Sequence, residues 1–137
     1  MKKETVGIIL AAGRGSRLKS FNKPKGNLKI NKKLTLIDNI VKNFRENGVS
    51  KIILVTGYKS YLIKNNFFKK IFNKKWKTST MISSLLCAKS YLNRYNCIVS
   101  YSDIYFESDA ITKLKNCKNE IGITFYSQWL SLWKKRY

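Results

Sequence analysis

Three short runs of nearly unbroken apolar residues most restrict what this chain can fold into: Val6–Ala11 (VGIILA), Ile52–Thr56 (IILVT) and Cys97–Tyr101 (CIVSY). A strand with one wet face alternates apolar and polar positions, whereas a continuous run belongs to a strand covered on both faces. Helical spacing lies between these runs. Leu36, Ile37, Ile40, Val41 and Phe44 share one face of a helix, and Gly48 stands where that helix would stop. Ser60–Phe67 reads as a short helix, Lys70–Phe72 as a weak strand, and Ser79 as the cap of a helix through Tyr91. Ala110–Leu114 reads as helical, Ile121–Tyr126 (IGITFY) as a further strand, and Leu28 with Ile30 as a short extended piece. This alternation predicts an α/β fold with a mostly parallel sheet and helices on both faces. At 137 residues, without repeat, low-complexity linker or internal boundary, one domain over 1–137 is expected.

Composition narrows the function classes. Hydrophobic residues at 44% are too many for a disordered basic tail. No apolar stretch approaches the ~20 residues of a membrane-spanning helix. The opening MKKETVGIILAAGRG has a basic-then-apolar start like a signal peptide. Gly13, Arg14, Gly15 and Arg17 follow where a small-residue cleavage site should be, so a buried strand is expected there. There is no histidine, which excludes imidazole bases and ligands. Chemistry must rest on carboxylates, Lys or Arg, hydroxyls, backbone or a bound metal. The formal charge of +21 admits nucleic-acid binding but equally a lysine-rich composition solvated on the surface. Phe67–Lys77 (FFKKIFNKKWK) comes closest to a basic stretch with interleaved aromatics, although Phe67, Phe68, Ile71 and Phe72 read more simply as strand and core. Cys87, Cys97 and Cys117 form no CxxC pair and read as buried thiols of a reducing, cytoplasmic environment.

The motif with chemical content is Leu10–Leu18, LAAGRGSRL, directly after the first buried run, followed by Lys25 in NKPKGNL. A glycine-rich turn at the carboxyl end of a parallel strand lets backbone N–H groups approach phosphates without a Cβ in the way. Arg14, Arg17 and Lys25 add positive charge there. The spacing is neither GxGxxG nor GxxxxGK[ST]. Asp103, after CIVSYS, stands at the carboxyl end of a strand, where open parallel sheets place ligands; a turn-capping aspartate would look the same in sequence. Asp109 reads as a cap.

The run GIILAAGRGSRL…NKPKGNL closely resembles the signature of the sugar-phosphate and phosphocholine nucleotidyltransferases, LAAGxGxRL…KPK. LTLIDNIVKNFRENGVSKIILVTGYK and SYSDIYF are similar to later parts of that family. The resemblance implies a Rossmann-like sheet of the nucleotide-diphospho-sugar transferase type. By the same resemblance Leu10, Ala11, Ala12 and Gly13 would lie against base and ribose. Arg14 would add charge beside them, and Gly15 and Ser16 would offer backbone contacts to phosphate. Arg17 and Lys25 would bind the triphosphate and the incoming phosphate as the catalytic pair, and Asp103 would hold Mg²⁺. Met81-Ile-Ser-Ser-Leu85 resembles the family's Asn-Met…Ser-Leu helix start, with Thr80 at the Asn position.

The implied reaction is transfer of a nucleoside monophosphate, CMP from CTP foremost, to phosphocholine, a phosphoglutamine-like compound or a sugar 1-phosphate, for capsule or surface polysaccharide. The family's domain continues well past this length, so the chain reads as a truncated N-terminal, nucleotide-binding portion. Trp129 and Trp133 near the end would be covered by the missing half or by a second copy, or would be a frayed terminus. An inactive fragment and a basic nucleic-acid-binding domain are the competing expectations.

Overall fold

Val6, Ile8, Ile53 and Val55 point to one side of a sheet, and Ile9, Ala11, Ile52, Leu54 and Ile98 to the other; both sets are buried. The computed structural model describes residues 3–135; Arg136 and Tyr137, part of the expected terminal patch, lie outside them. Four strands, β1 (Thr5–Ala11), β2 (Ile52–Thr56), β3 (Lys69–Phe72) and β4 (Asn96–Tyr101), form one sheet in the order β3-β2-β1-β4. Every pairing is parallel, with Ile9 opposite Leu54 on one side and Ser100 on the other. The α/β, Rossmann-like architecture expected from the sequence is therefore present.

Helices cover both faces. α1 (Leu36–Glu46) lays Ile37, Ile40, Val41 and Phe44 on the first face, where Ile111 of α4 (Ser108–Lys115) joins them. Gly7 lets the Phe44 ring approach β1, since a Cβ there would sit 3.0 Å from it. On the second face pack Leu85 of α2 (Met81–Leu86), Ala88, and Tyr91 and Leu92 of α3 (Lys89–Leu92). Two asparagines of α1 lock α4's approach: Asn39 and Asn43 both donate to the Phe106 carbonyl, at 3.0 and 2.7 Å. The last helix, α5 (Trp129–Lys134), lies exposed.

Several expectations are corrected. Ser60–Phe67 is no helix beyond a 3-10 turn at Ser60–Leu62. The Asn27 side chain donates to the Leu62 carbonyl at 3.0 Å and that of Asn65 accepts from the Phe67 N–H at 2.8 Å, taking backbone groups that a longer helix would use. The helix expected from Ser79 to Tyr91 is two helices, and Thr80, not Ser79, caps the first by accepting from the Ser83 N–H. Between them the ladder tightens to i→i−3 bonds at Cys87 and Ala88. Ile121–Tyr126 forms no strand: among the described residues no strand pairs with it, and Ile121, Ile123 and Phe125 are all more than four-fifths exposed. Asp109 caps nothing and instead pairs with Lys113 one turn on. Cys117 is exposed, while Cys87 and Cys97 are partly covered. Phe67 and Phe72 are exposed rather than core, and only Phe68 and Ile71 pack inward. Leu28 and Ile30 flank one antiparallel bridge, Lys29 with Thr35.

Candidate active site

From β1 the chain passes to β2 and β3 on one side, then crosses back to place β4 on the other. The carboxyl ends of β1 and β4 therefore border the point where the winding reverses, and a crevice opens there. Backbone bonds prolong the sheet past its last formal residues. The Ser102 N–H donates to the Leu10 carbonyl at 3.1 Å, and the Tyr58 N–H to that of Ala12 at 3.0 Å. Ser102 and Tyr58 are thus held on either side of the end of β1, and Asp103 follows directly on the first.

Two glycines bring Lys25 to this place. Gly15 has φ +68, a left-handed conformation that favours glycine, and a Cβ on it would lie 2.5 Å from Cε of Lys25. The lysine's aliphatic stem thus runs across the bare backbone of the glycine turn. Pro24 begins the 3-10 turn Lys25–Asn27, and buried Gly26 packs so closely that a Cβ would meet Ile37 at 2.4 Å and Ser102 at 3.1 Å. Only at that approach does the Lys25 ammonium reach the Asp103 carboxylate, Nζ to Oδ2 3.1 Å. Residues 78 apart in sequence become an ion pair at the mouth of the crevice.

The resulting cleft, about 190 Å³, is lined by Leu10, Ala11, Ala12, Gly13, Gly15, Lys25 and Asp103, with Tyr101 and Ser102. Its opposite wall comprises Trp76, Ser79, Thr80, Met81 and Ser84, none of them charged. Gly57 admits that wall, since a Cβ there would meet Trp76 at 2.4 Å and the Ala12 carbonyl at 2.6 Å. Trp76 in turn leans on the Tyr58 ring, centroids 5.5 Å apart. A more apolar groove of about 250 Å³ continues along β4, between Val99 and α2's Ile82 and Leu85.

Not every expected site residue takes part. Arg14 is exposed, its guanidinium 5.8 Å from the centroid of the Tyr58 ring. Ser16 and Arg17 are exposed on the loop and do not line the cleft. The sequence reading had not placed Trp76, Ser79, Ser84, Tyr101 or Ser102 at the site. Both serines had a signal nonetheless: Ser79 as a cap candidate, and Ser84 within the Met81–Leu85 run that resembles the family's helix start.

A cleft at the winding reversal, with a glycine turn, a lysine and a strand-end aspartate converging on it, is the layout against which known proteins can be compared. The family model of the MobA-like NTP transferase domain matches residues 7–129. The chain belongs to that family. Among curated relatives of this MobA-like domain is the CTP:phosphoglutamine cytidylyltransferase of Campylobacter jejuni, 33% identical over 95% of this chain and 56% of its own length. Among solved structures, the CTP:phosphocholine cytidylyltransferase of Streptococcus pneumoniae superposes with a TM-score of 0.66 at 32% identity, covering 77% of this chain and 50% of the other. Rv0371c of Mycobacterium tuberculosis shares the fold at 17% identity and a TM-score of 0.64, over 85% of this chain and 60% of that one. This MobA-like chain therefore spans about half the length of the relatives it matches.

Proposed function

We propose that residues 1–137 are the nucleotide-binding portion of a Mg²⁺-dependent cytidylyltransferase, which moves CMP from CTP to a small phosphorylated acceptor and releases pyrophosphate. The convergence of Gly15, Lys25 and Asp103 on one cleft carries this reading. The acceptor class is an organic phosphate of the phosphoglutamine or phosphocholine kind, with a sugar 1-phosphate next. The product would be a cytoplasmic precursor for surface polysaccharide.

An acceptor phosphate oxygen attacks the α-phosphorus, the bond from that phosphorus to the bridging oxygen breaks, and pyrophosphate departs with the electron pair. An acceptor that is already anionic needs no general base, which suits a chain without histidine. The residues' work is alignment and charge neutralisation. Lys25, its stem laid across Gly15, offers a cation to the triphosphate, and the backbone of the Gly13–Gly15 turn approaches the phosphates. In this reading Arg17 and Arg14 reach the ligand only by reorienting from the exposed face of the loop, and Ser16 contributes its backbone. Leu10, Ala11, Ala12 and Gly13 form the floor under base and ribose.

Among the described residues no group of three or more Cys, Asp or Glu side chains could cage a metal alone. Mg²⁺ commonly takes one or two carboxylates together with substrate phosphates and water, and Asp103 at the cleft mouth fits that donor set. Bound there, the ion would supply Lewis-acid stabilisation of phosphate charge. The acceptor-binding surface belongs, in this reading, to the part of the relatives' length that the chain does not span.

Calorimetric titration with CTP and Mg²⁺ tests the reading. Binding is expected for the wild type, weakened about tenfold or more in Lys25→Ala, with little pyrophosphate released by this chain when acceptor is added. Equal CTP affinity in Lys25→Ala would overturn the site. Robust turnover would overturn the claim that further chain is required.

A further inference from the structure

Asn73, the residue after β3, is buried at 5% exposure behind the uncharged wall of the cleft. Its amide orientation is settled by the backbone. The Lys75 N–H donates to Oδ1 at 3.0 Å, so Nδ2 is the atom that faces the two serines. It donates to Ser79 Oγ at 2.8 Å and to Ser84 Oγ at 3.1 Å. The Asn73 N–H is itself tied to the Thr56 carbonyl at 2.8 Å, which anchors the arrangement to the end of β2. Both serines line the cleft. Among the described residues, neither hydroxyl donates to a protein acceptor, so each accepts from behind and keeps its own proton to give.

The cleft's charged groups, Lys25 and Asp103, mark the phosphate end. Its uncharged wall of Trp76, Ser79, Thr80 and Ser84 is left for the base. We infer that Asn73 is a positioning residue that sets Ser79 and Ser84 as a pair of hydrogen-bond donors and so selects cytosine over uracil. Cytosine presents two adjacent acceptors, O2 and N3, whereas uracil presents an N3–H donor at the second position. A uracil would have to use the remaining lone pair of one hydroxyl and leave that hydroxyl's proton without an acceptor, a mismatch worth about tenfold in affinity. The inference rests on the nucleotide reading given above and adds the origin of its base preference.

The test is the ratio of UTP to CTP dissociation constants, measured by calorimetry with Mg²⁺ at pH 8 for wild type, Asn73→Asp, Ser79→Ala and Ser84→Ala, with folding checked by circular dichroism. A carboxylate at position 73 accepts from the serines, turns their protons away from the cleft and presents lone pairs instead. Asn73→Asp is therefore expected to move the ratio at least tenfold toward UTP. Each serine variant is expected to lose CTP affinity more than UTP affinity, by about five- to tenfold in the ratio. If Asn73→Asp fails to fold, the two serine variants decide. CTP binding with a ratio unchanged within about twofold in every folded variant overturns the role of Asn73 while leaving the nucleotide site standing. Absence of any triphosphate binding to the wild type overturns the nucleotide reading and this inference with it.

Discussion

Lys25 and Asp103 illustrate how little an ion pair at the mouth of a cleft contributes to folding. Both are partly exposed, and an ion pair in that setting contributes about 0–1 kcal/mol. Loss of Lys25 should therefore show in ligand binding far more than in stability. The thiols offer a separate check on side-chain environment. Burial pushes the Cys97 thiol above its usual range, whereas Cys117 is exposed. Since the thiolate is the reactive species, Cys117 should be alkylated first by iodoacetamide at pH 7.5, with Cys97 lagging at least several-fold and catching up as pH rises. Mass spectrometry of timed samples reads both rates, and equal labelling at neutral pH would contradict the burial. Sequence alone pointed to Lys25 and Asp103, which the structure brings together at the cleft, because strand ends and glycine turns leave local marks. It could not place Arg17: the direction of an exposed side chain on a loop depends on contacts that spacing does not encode.

The elements show the same division. α1 was legible because amphipathic spacing and a following Gly48 agree, and the structure adds a capping box that the spacing did not report. The Thr35 hydroxyl accepts from the Asp38 N–H at 3.1 Å, and the Asp38 carboxylate accepts from the Thr35 N–H at 3.0 Å. Thr35→Ala should lower unfolding free energy by about 1 kcal/mol in urea titrations, with no change in denaturant slope. An unchanged midpoint would mean that the box is not made. The buried strands were equally plain, since each pairs with chain that is present. Ser60–Phe67 was misjudged because asparagine side chains captured backbone groups that a helix would use. Ile121–Tyr126 carries strand propensity and alternation, yet strand formation is not a local property: without a partner strand its N–H and C=O groups join no ladder. The uncharged wall was legible only in part. Nothing local reports that Asn73 is buried, or that Ser79 turns back to it instead of capping the helix that follows.

For the whole molecule, the surface carries two unlike features. The +21 charge is spread over lysines that, Lys25 apart, have no assigned task. Among the described residues no helix is long and apolar enough to cross a membrane. Against this charge stands a run of exposed apolar side chains: Ile121, Ile123, Phe125, Trp129, Leu130 and Leu132, with Val99 and Tyr101 of edge strand β4 also exposed. Like-charge repulsion opposes association at low salt, and apolar area favours it once the charge is screened. Sedimentation velocity should therefore show a chain that is monomeric at low ionic strength and self-associates as salt rises. Phe125→Lys together with Trp129→Lys should suppress that association, and a salt-independent monomer would show that the apolar run is covered in solution.

The strand order also has a temporal side. β1 and β2 pair across some 45 residues that include α1, whereas β4 must return from some 90 residues away to pair with β1. The glycine turn and Lys25 thus emerge early during synthesis, but the aspartate that faces them arrives only when the last strand docks. A nascent chain displays its glycine turn well before the cleft is complete, and a nucleotide bound as proposed would hold in place the last strand to dock rather than the first.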